Sequence, residues 1–169
     1  MEEKSYKELL NNINTFIFDV DGVLTDANVL VTTTGELLRT MNVKDGYALK
    51  FAVNAGYHVA IISAGTNEGV KLRLEGLGIK DVYLGSNDKT KQLDEYMKIY
   101  DLKPENILYM GDDVGDYPVL KIVGLPTCPQ DAIPEIKAIS KYVSHKEGGK
   151  GAVRDVVEQV LKVQGKWAF

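Results

Sequence analysis

Thr15-Phe16-Ile17-Phe18-Asp19-Val20-Asp21-Gly22-Val23-Leu24-Thr25-Asp26 is an apolar run, rich in β-formers, that breaks off in alternating carboxylates and a glycine. Residues 15–20 read as a buried strand, so the carboxylates stand at its carboxyl end. Working outward, the same pattern returns twice. His58-Val59-Ala60-Ile61-Ile62-Ser63 is a second buried strand, closed by a hydroxyl. Asn106 to Asp113 (NILYMGDD) is a third, closed by two carboxylates. Shorter extended segments are expected at 81–85, 124–128 and 141–144. Helical patterns fill the gaps: from about Asp45 with an apolar face of Leu49, Ala52 and Val53 closed by Gly56, Asn67 to Leu77 ending at Gly78, Lys89 to Tyr100, 116–123, Ile133 to Ser140, and Val153 to Gln164. Ser5-Tyr6-Lys7-Glu8 has the form of a capping box opening a short helix. Residues 28–42 break the alternation and read as two strands joined at Gly35. This predicts an α/β fold with a parallel sheet, helices on both faces and a hairpin after the first strand. In such a sheet the ligand sits at the carboxyl ends of the strands, near a topological switch point. Asp19, Asp21, Ser63, Asp112 and Asp113 are then expected to meet at one edge.

The rest of the composition narrows the class. A chain of 169 residues fits a single domain, 1–169, and buries a core without staples. Its net charge of −4 argues against nucleic acid as the main ligand, because a phosphate-backbone binder carries a clustered positive excess. Cys128 is the single cysteine, which excludes an intramolecular disulfide and suits a reducing compartment. His58 and His145 form no Cys/His pattern with it. The polar start of the chain is no secretory signal, and no run is long enough to span a membrane. A soluble, cytoplasmic protein with no membrane partner is expected.

Three carboxylates at one sheet edge repel, and some would take up protons unless a cation joins them. Oxygen ligands with retained waters suit Mg²⁺, and Mg²⁺ suits phosphate chemistry. Ser63 opens a Ser-Ala-Gly-Thr turn whose amides can hold an anion. Lys89 begins a helix after Gly85-Ser86-Asn87-Asp88 and can neutralise phosphate charge. Nucleophile, cation and donors for the equatorial oxygens are what phosphoryl transfer requires. Each residue alone is an ordinary cap, turn or surface residue; the ordered set is what carries information.

That ordered set resembles the haloacid dehalogenase-like phosphatases. Phe18 to Asp26 matches their first motif, Ser63 the second, Lys89 the third, and Gly111-Asp112-Asp113 with Asp116 the fourth. The resemblance implies a Rossmann-like sheet and a reaction in which Asp19 attacks phosphorus while Asp21 protonates the leaving alcohol and then activates water. It implies Mg²⁺ held by Asp19, the Asp21 backbone carbonyl and Asp112. Ser63 and Lys89 would bind the phosphoryl group, and Asp113 or Asp116 would orient Lys89 or a metal-bound water. Only residues 27–62 separate the first motif from the second, so no large cap domain is expected.

Within that superfamily the chain is similar to the capless, tetrameric 3-deoxy-manno-octulosonate 8-phosphate phosphatases of lipopolysaccharide-sugar synthesis. The residues that carry this are TDANVLVTTTGELLRTMNVKDGYALK (25–50) and GGKGAVRDVVEQVLKVQGK (148–166). The likeness implies a homotetramer assembled through the hairpin (about 27–42), with exposed Val29, Val31, Leu37 and Leu38. The glycine-rich C-terminal segment (about 145–169) would close a neighbour's site, His145 to Arg154 acting as a lid. Asn42, Val43, Lys44, Asp45 and Gly46 form its most specific box and are expected at the substrate, with Asp45 also fit to be a helix N-cap. Ala64 and Gly65 would lie at the phosphate. Lys50 and Arg73 are placed to meet the substrate's carboxylate or phosphate. Relatives carry a charged residue after the second-motif glycine, where this chain has Ser63-Ala64-Gly65. That departure leaves eight-carbon and nine-carbon sugar acid phosphates, or a broader sugar phosphatase, as alternatives. A response-regulator receiver gathers a similar set, but on a middle strand. A degenerate regulatory subunit would not retain every motif position.

Overall fold

The computed structural model describes residues 5–169; residues 1–4, part of the polar start, lie outside the described residues. The Ser5 N–H donates to the Glu8 carboxylate at 2.9 Å, starting α1 (Tyr6–Leu9) as the capping box predicts. In chain order there follow β1 (Thr15–Phe18), β2 (Leu30–Val31), β3 (Leu37–Leu38), α2 (Val43–Asn54), β4 (His58–Ile62), α3 (Glu68–Glu75) and β5 (Asp81–Tyr83). Then come α4 (Lys89–Tyr100), β6 (Ile107–Met110), α5 (Tyr117–Leu120), β7 (Leu125–Cys128), α6 (Pro134–Ile139), β8 (Tyr142–Val143) and α7 (Ala152–Val163).

Among the described residues, six strands form one parallel sheet in the order β5-β4-β1-β6-β7-β8. β1 lies between β4 and β6, so the chain leaves β1 to build one side and returns to build the other. The switch point therefore falls at the end of β1, where Asp19 begins. Side chains alternate across the pleat. Phe16, Phe18, Val59, Ile61, Leu108 and Met110 pack on one face, under α2, α3 and α7. Ile17, Ala60, Ile62, Ile107 and Tyr109 pack on the other, under α4, α5 and α6. These central strands are apolar on both faces because both faces are covered. On α7, Val153, Val156, Val157, Val160 and Leu161 recur at helical spacing and are buried.

Two expectations shift in detail. The hairpin forms, with Gly35 at φ +83° in its turn, but each strand is only two residues long. The Leu37 carbonyl accepts instead from Arg39 Nη1 and Asn67 Nδ2, both at 2.9 Å, which ties the ribbon's base to the body. Its strands stay out: Val29, Leu30, Val31, Leu37 and Leu38 are all exposed. The second difference is at α2, which starts before Asp45. Asn42 is its cap, its side-chain oxygen accepting from the N–H groups of Lys44 (2.8 Å) and Asp45 (3.3 Å). Among the described residues, no helix is long and apolar enough to cross a membrane.

Candidate active site

Asp19 leaves β1 buried, with both carboxylate oxygens engaged. One accepts the Val20 N–H at 2.7 Å and the other meets Lys89 Nζ at 2.9 Å. Lys89, the first residue of α4, also reaches Asp116 at 2.7 Å, so one ammonium bridges two carboxylates from the ends of β1 and β6. Asp116 is 1% exposed and fully used. Besides Lys89, it accepts from the Tyr109 hydroxyl (2.7 Å) and the Asp112 N–H (3.0 Å). Asp113 has a different role: it is exposed and caps the following turn through the Val114 N–H at 2.7 Å.

Carboxylate oxygens of Asp19, Asp112 and Asp116 lie within 4.8 Å of one another. Burial, then the charge of Asp116, lifts the Asp19 carboxyl to about 7 despite the nearby Lys89. Burial, then Asp19 and Asp116, lifts Asp112 to about 8. Burial opposes the charge of Lys89, but Asp19 and Asp116 outweigh it and its pKa rises. One oxygen of Asp112 is buried and has no hydrogen-bond partner. A buried, partnerless oxygen among repelling carboxylates is the donor set of a hard divalent cation. Asp116 accepts from Lys89, Tyr109 and the Asp112 N–H, whereas Asp112 keeps a partnerless oxygen and each Asp19 oxygen has a single partner, so Asp19 and Asp112 are the side chains that fit a metal better.

The turn after β1 is held by glycines. Gly22, at φ +87°, lies so close to Asp112 that a Cβ there would sit 1.9 Å from its carboxylate. The other side of this turn is covered by the chain's own segment 145–151. A Cβ at Gly148 would fall 1.9 Å from the Gly22 carbonyl oxygen, and the Gly149 N–H donates to the Val23 carbonyl at 2.9 Å. Gly148 also donates to the Asp131 carboxylate at 2.9 Å. The segment expected as a lid is thus packed against the turn after β1 of the same chain, since two side-chain-free residues allow backbone to lie on backbone. Asp45 fixes the far end: its buried carboxylate accepts the N–H groups of Gly151 (3.3 Å) and Arg154 (2.9 Å) at the start of α7. It satisfies free N–H groups at the start of a helix 106 residues away, while its own helix is capped by Asn42.

Asp21 points to a different partner. Its two oxygens accept from Arg39 Nε (2.8 Å) and Nη2 (3.0 Å), a bidentate pair. Arg39 was missed in the sequence because nothing in the hairpin's spacing marks one cation over another; only its position at the ribbon's base, next to a motif, could have. Ser63 is buried at the end of β4 and accepts the Gly65 N–H at 3.2 Å. Gly65 is in the company of Ser63, Asp21 and Arg39, whose side chains would make ordinary contacts with a Cβ there at 3.5–3.8 Å, and Ala64 is exposed beside it. The remaining expected contacts are spread out. Asn42, Val43 and Lys44 line a separate groove of about 810 Å³ with Lys146, Lys150 and Arg154. Gly46 is buried under the Arg73 guanidinium, which lies where a Cβ would be 2.8 Å away. Lys50 is exposed on α2.

The family profile described as haloacid dehalogenase-like hydrolase matches residues 76–156. The chain is 39% identical over 155 residues to the 3-deoxy-D-manno-octulosonate 8-phosphate phosphatase KdsC of Salmonella typhi, covering 92% of this chain and 82% of that protein. The same phosphatase of Yersinia pestis superposes with a TM-score of 0.92 at 36% identity, over 95% of this chain and 86% of that one. The Moraxella catarrhalis enzyme, solved with magnesium, phosphate and KDO, does so with a TM-score of 0.92 at 30% identity, over 95% and 92%. On motif order, fold and these likenesses together, the chain belongs to the haloacid dehalogenase-like hydrolases, in the family of the 3-deoxy-D-manno-octulosonate 8-phosphate phosphatases.

Proposed function

We propose that this chain is a Mg²⁺-dependent phosphatase that hydrolyses 3-deoxy-D-manno-octulosonate 8-phosphate to the free sugar acid and phosphate. The observation that carries the reading is Lys89 Nζ bridging Asp19 and Asp116 beside the partnerless oxygen of Asp112. Mg²⁺, when bound at Asp19, Asp112 and the Asp21 carbonyl, screens the carboxylates and the transferring phosphoryl group. Asp19, its carboxylate aimed by Val20 and Lys89, attacks phosphorus to give an aspartyl phosphate. Asp21 protonates the leaving alkoxide and then takes a proton from the water that releases phosphate. Ser63, the Ala64 and Gly65 amides, and Lys89 hold the equatorial oxygens. Asp116 positions Lys89.

The hairpin's exposed Leu30, Val31, Leu37 and Leu38 support assembly through this ribbon, as a homotetramer, because a two-stranded ribbon is marginal alone. Segment 145–151 serves its own site, which leaves the last residues, ending in the 87% exposed Phe169, as the part of the tail to approach a neighbour. A single domain over 1–169 and a cytoplasmic location complete the reading; the buried, free Cys128 accords with a reducing compartment.

Kinetics decide the substrate. With Mg²⁺, kcat/KM is expected to be highest on the octulosonate 8-phosphate. Equal values on a nine-carbon nonulosonate 9-phosphate, which the uncharged Gly65 leaves as the second reading, or a preference for simple sugar phosphates, overturns it. Asp19→Asn is expected to abolish turnover with the melting curve retained.

A further inference from the structure

We propose that Arg39 is the specificity residue of this site, binding the carboxylate of the sugar acid that leaves. The inference rests on the phosphatase reading above and adds to it the recognition of the leaving group. Arg39 comes from the base of the hairpin, yet its side chain is only 10% exposed, held against Asp21. Three donors are engaged: Nε and Nη2 on the two oxygens of Asp21, and Nη1 on the Leu37 carbonyl. A guanidinium has five N–H donors in a fixed fork, so two remain for a ligand. Arg39 lines a small pocket together with Asp21, Ser63, Gly65 and Asn67. A Cβ at Gly65 would stand 3.8 Å from Arg39 Nη2, 3.6 Å from Ser63 Oγ and 3.5 Å from Asp21 Oδ2, all ordinary contact distances.

The other cations near the site are placed differently. Lys89 is shared between Asp19 and Asp116. Arg73 lies over Gly46. Lys44 lines the groove beside α7, and Lys50 is exposed on α2. Arg39 is the cation that the ion pairs of the described residues place on Asp21, the group facing the leaving alcohol. It is also pre-positioned: the Leu37 carbonyl that holds Nη1 is itself held by Asn67, the N-cap of α3. A planar fork fixed in this way matches a carboxylate in two parallel hydrogen bonds. Because Arg39 belongs to the hairpin, whatever orders the hairpin also orders the reader.

The test uses binding of the two products separately, by calorimetry with Mg²⁺ present. The probes are free 3-deoxy-manno-octulosonate, which has the carboxylate and no phosphate, and inorganic phosphate. Arg39→Ala is expected to weaken the sugar acid by about 30-fold or more, since hydrogen bonds to charged groups are the strong ones. Phosphate is expected to weaken far less. In turnover, the ratio of kcat/KM for the octulosonate phosphate over p-nitrophenyl phosphate falls by a similar factor, mainly through KM. Gly65→Arg added to Arg39→Ala is expected to recover part of that ratio, because position 65 has ordinary contact room beside the vacated guanidinium. Equal losses on both substrates, confined to kcat, would show that Arg39 only positions Asp21 and overturn the proposal. So would a loss of phosphate affinity alone. Arg39→Lys, which keeps the charge and loses the fork, is the control for folding; full sugar-acid affinity in it also refutes bidentate recognition. If the wild-type chain itself shows no preference for the octulosonate phosphate, the functional reading fails, and this proposal with it. A wild type that shows the preference and an Arg39→Ala that keeps it refute the role of Arg39 alone.

Discussion

The carboxylate of Asp45 on α2 accepts the backbone N–H of Arg154 on α7 at 2.9 Å, so a residue of one helix caps the start of another. This pair locks the far end of segment 145–151, whose glycines lie on the turn after β1. Losing a cap costs about 0.5–2 kcal/mol, and leaving buried donors unpaired adds to it. Asp45→Ala is therefore expected to lower stability by about 2 kcal/mol in urea unfolding, with the Mg²⁺ requirement shifted upward. A variant with wild-type stability and only a raised KM would mean that Asp45 serves the substrate instead.

Gly148 tests the same brace from the other side. Alanine there would place its Cβ 1.9 Å from the Gly22 carbonyl oxygen, backbone that cannot give way cheaply. Overpacking of this kind costs about 1–3 kcal/mol. Gly22 in turn rests on the Asp112 carboxylate, so the apparent Mg²⁺ affinity is expected to fall by about 10-fold or more, as for other groups that orient a ligand. Metal titration of activity checks this. Unchanged half-saturation in a folded Gly148→Ala variant would separate the segment from the metal site.

Asp116 holds Lys89, the Tyr109 hydroxyl and the Asp112 amide together. Asp116→Ala strips one partner from a buried ion pair, which costs about 3–5 kcal/mol. Turnover is expected to fall at least about 100-fold, mostly in kcat, because Lys89 loses its second anchor. Asp113→Ala removes only an exposed cap and is expected to cost about 1 kcal/mol. Comparable loss of stability in both variants would contradict this division of labour between neighbouring acids.

The paired acids also set a pH signature. Folding raises Asp19 from 3.8 to about 7 and Asp112 from 3.8 to about 8. Between those limits the folded, metal-free protein keeps protons that the unfolded chain has released. Its stability from these groups is full below pH 4 and is lost as pH rises through 7 and 8. Mg²⁺ replaces those protons, so the rise in Tm on adding Mg²⁺ is expected to be larger at pH 8.5 than at pH 5.5. Melting in EDTA and in Mg²⁺ at the two pH values measures it, and an equal increment at both would be inconsistent with proton–metal exchange at Asp19 and Asp112.

Much of this is legible in the sequence. The strands ending in Asp19, Ser63 and Asp112 are local patterns of apolar residues broken by polar ones, and a parallel sheet brings such ends together. Lys89 at a helix start was readable for the same reason. Asn42 as the cap of α2 is readable in principle, from an Asx residue just before an apolar-periodic run, although Asp45 offers a second Asx residue three positions on. Asp45 itself was not: its partner lies 109 residues along the chain, and no local spacing encodes that distance. Arg39 was hidden likewise, as one of several cations near a motif.

By itself, then, the sequence determined the order of strands and helices, the residues at the sheet edge and the chemistry they fit, because these follow from short-range periodicity and residue type. The tertiary structure alone decided how those residues divide the work. It gave Lys89 to Asp19 and Asp116, Arg39 to Asp21, and Asp45 to α7, and it laid Gly148 on Gly22. Such pairings depend on which groups are left buried without a partner once the sheet has formed, and that is a property of the packed chain.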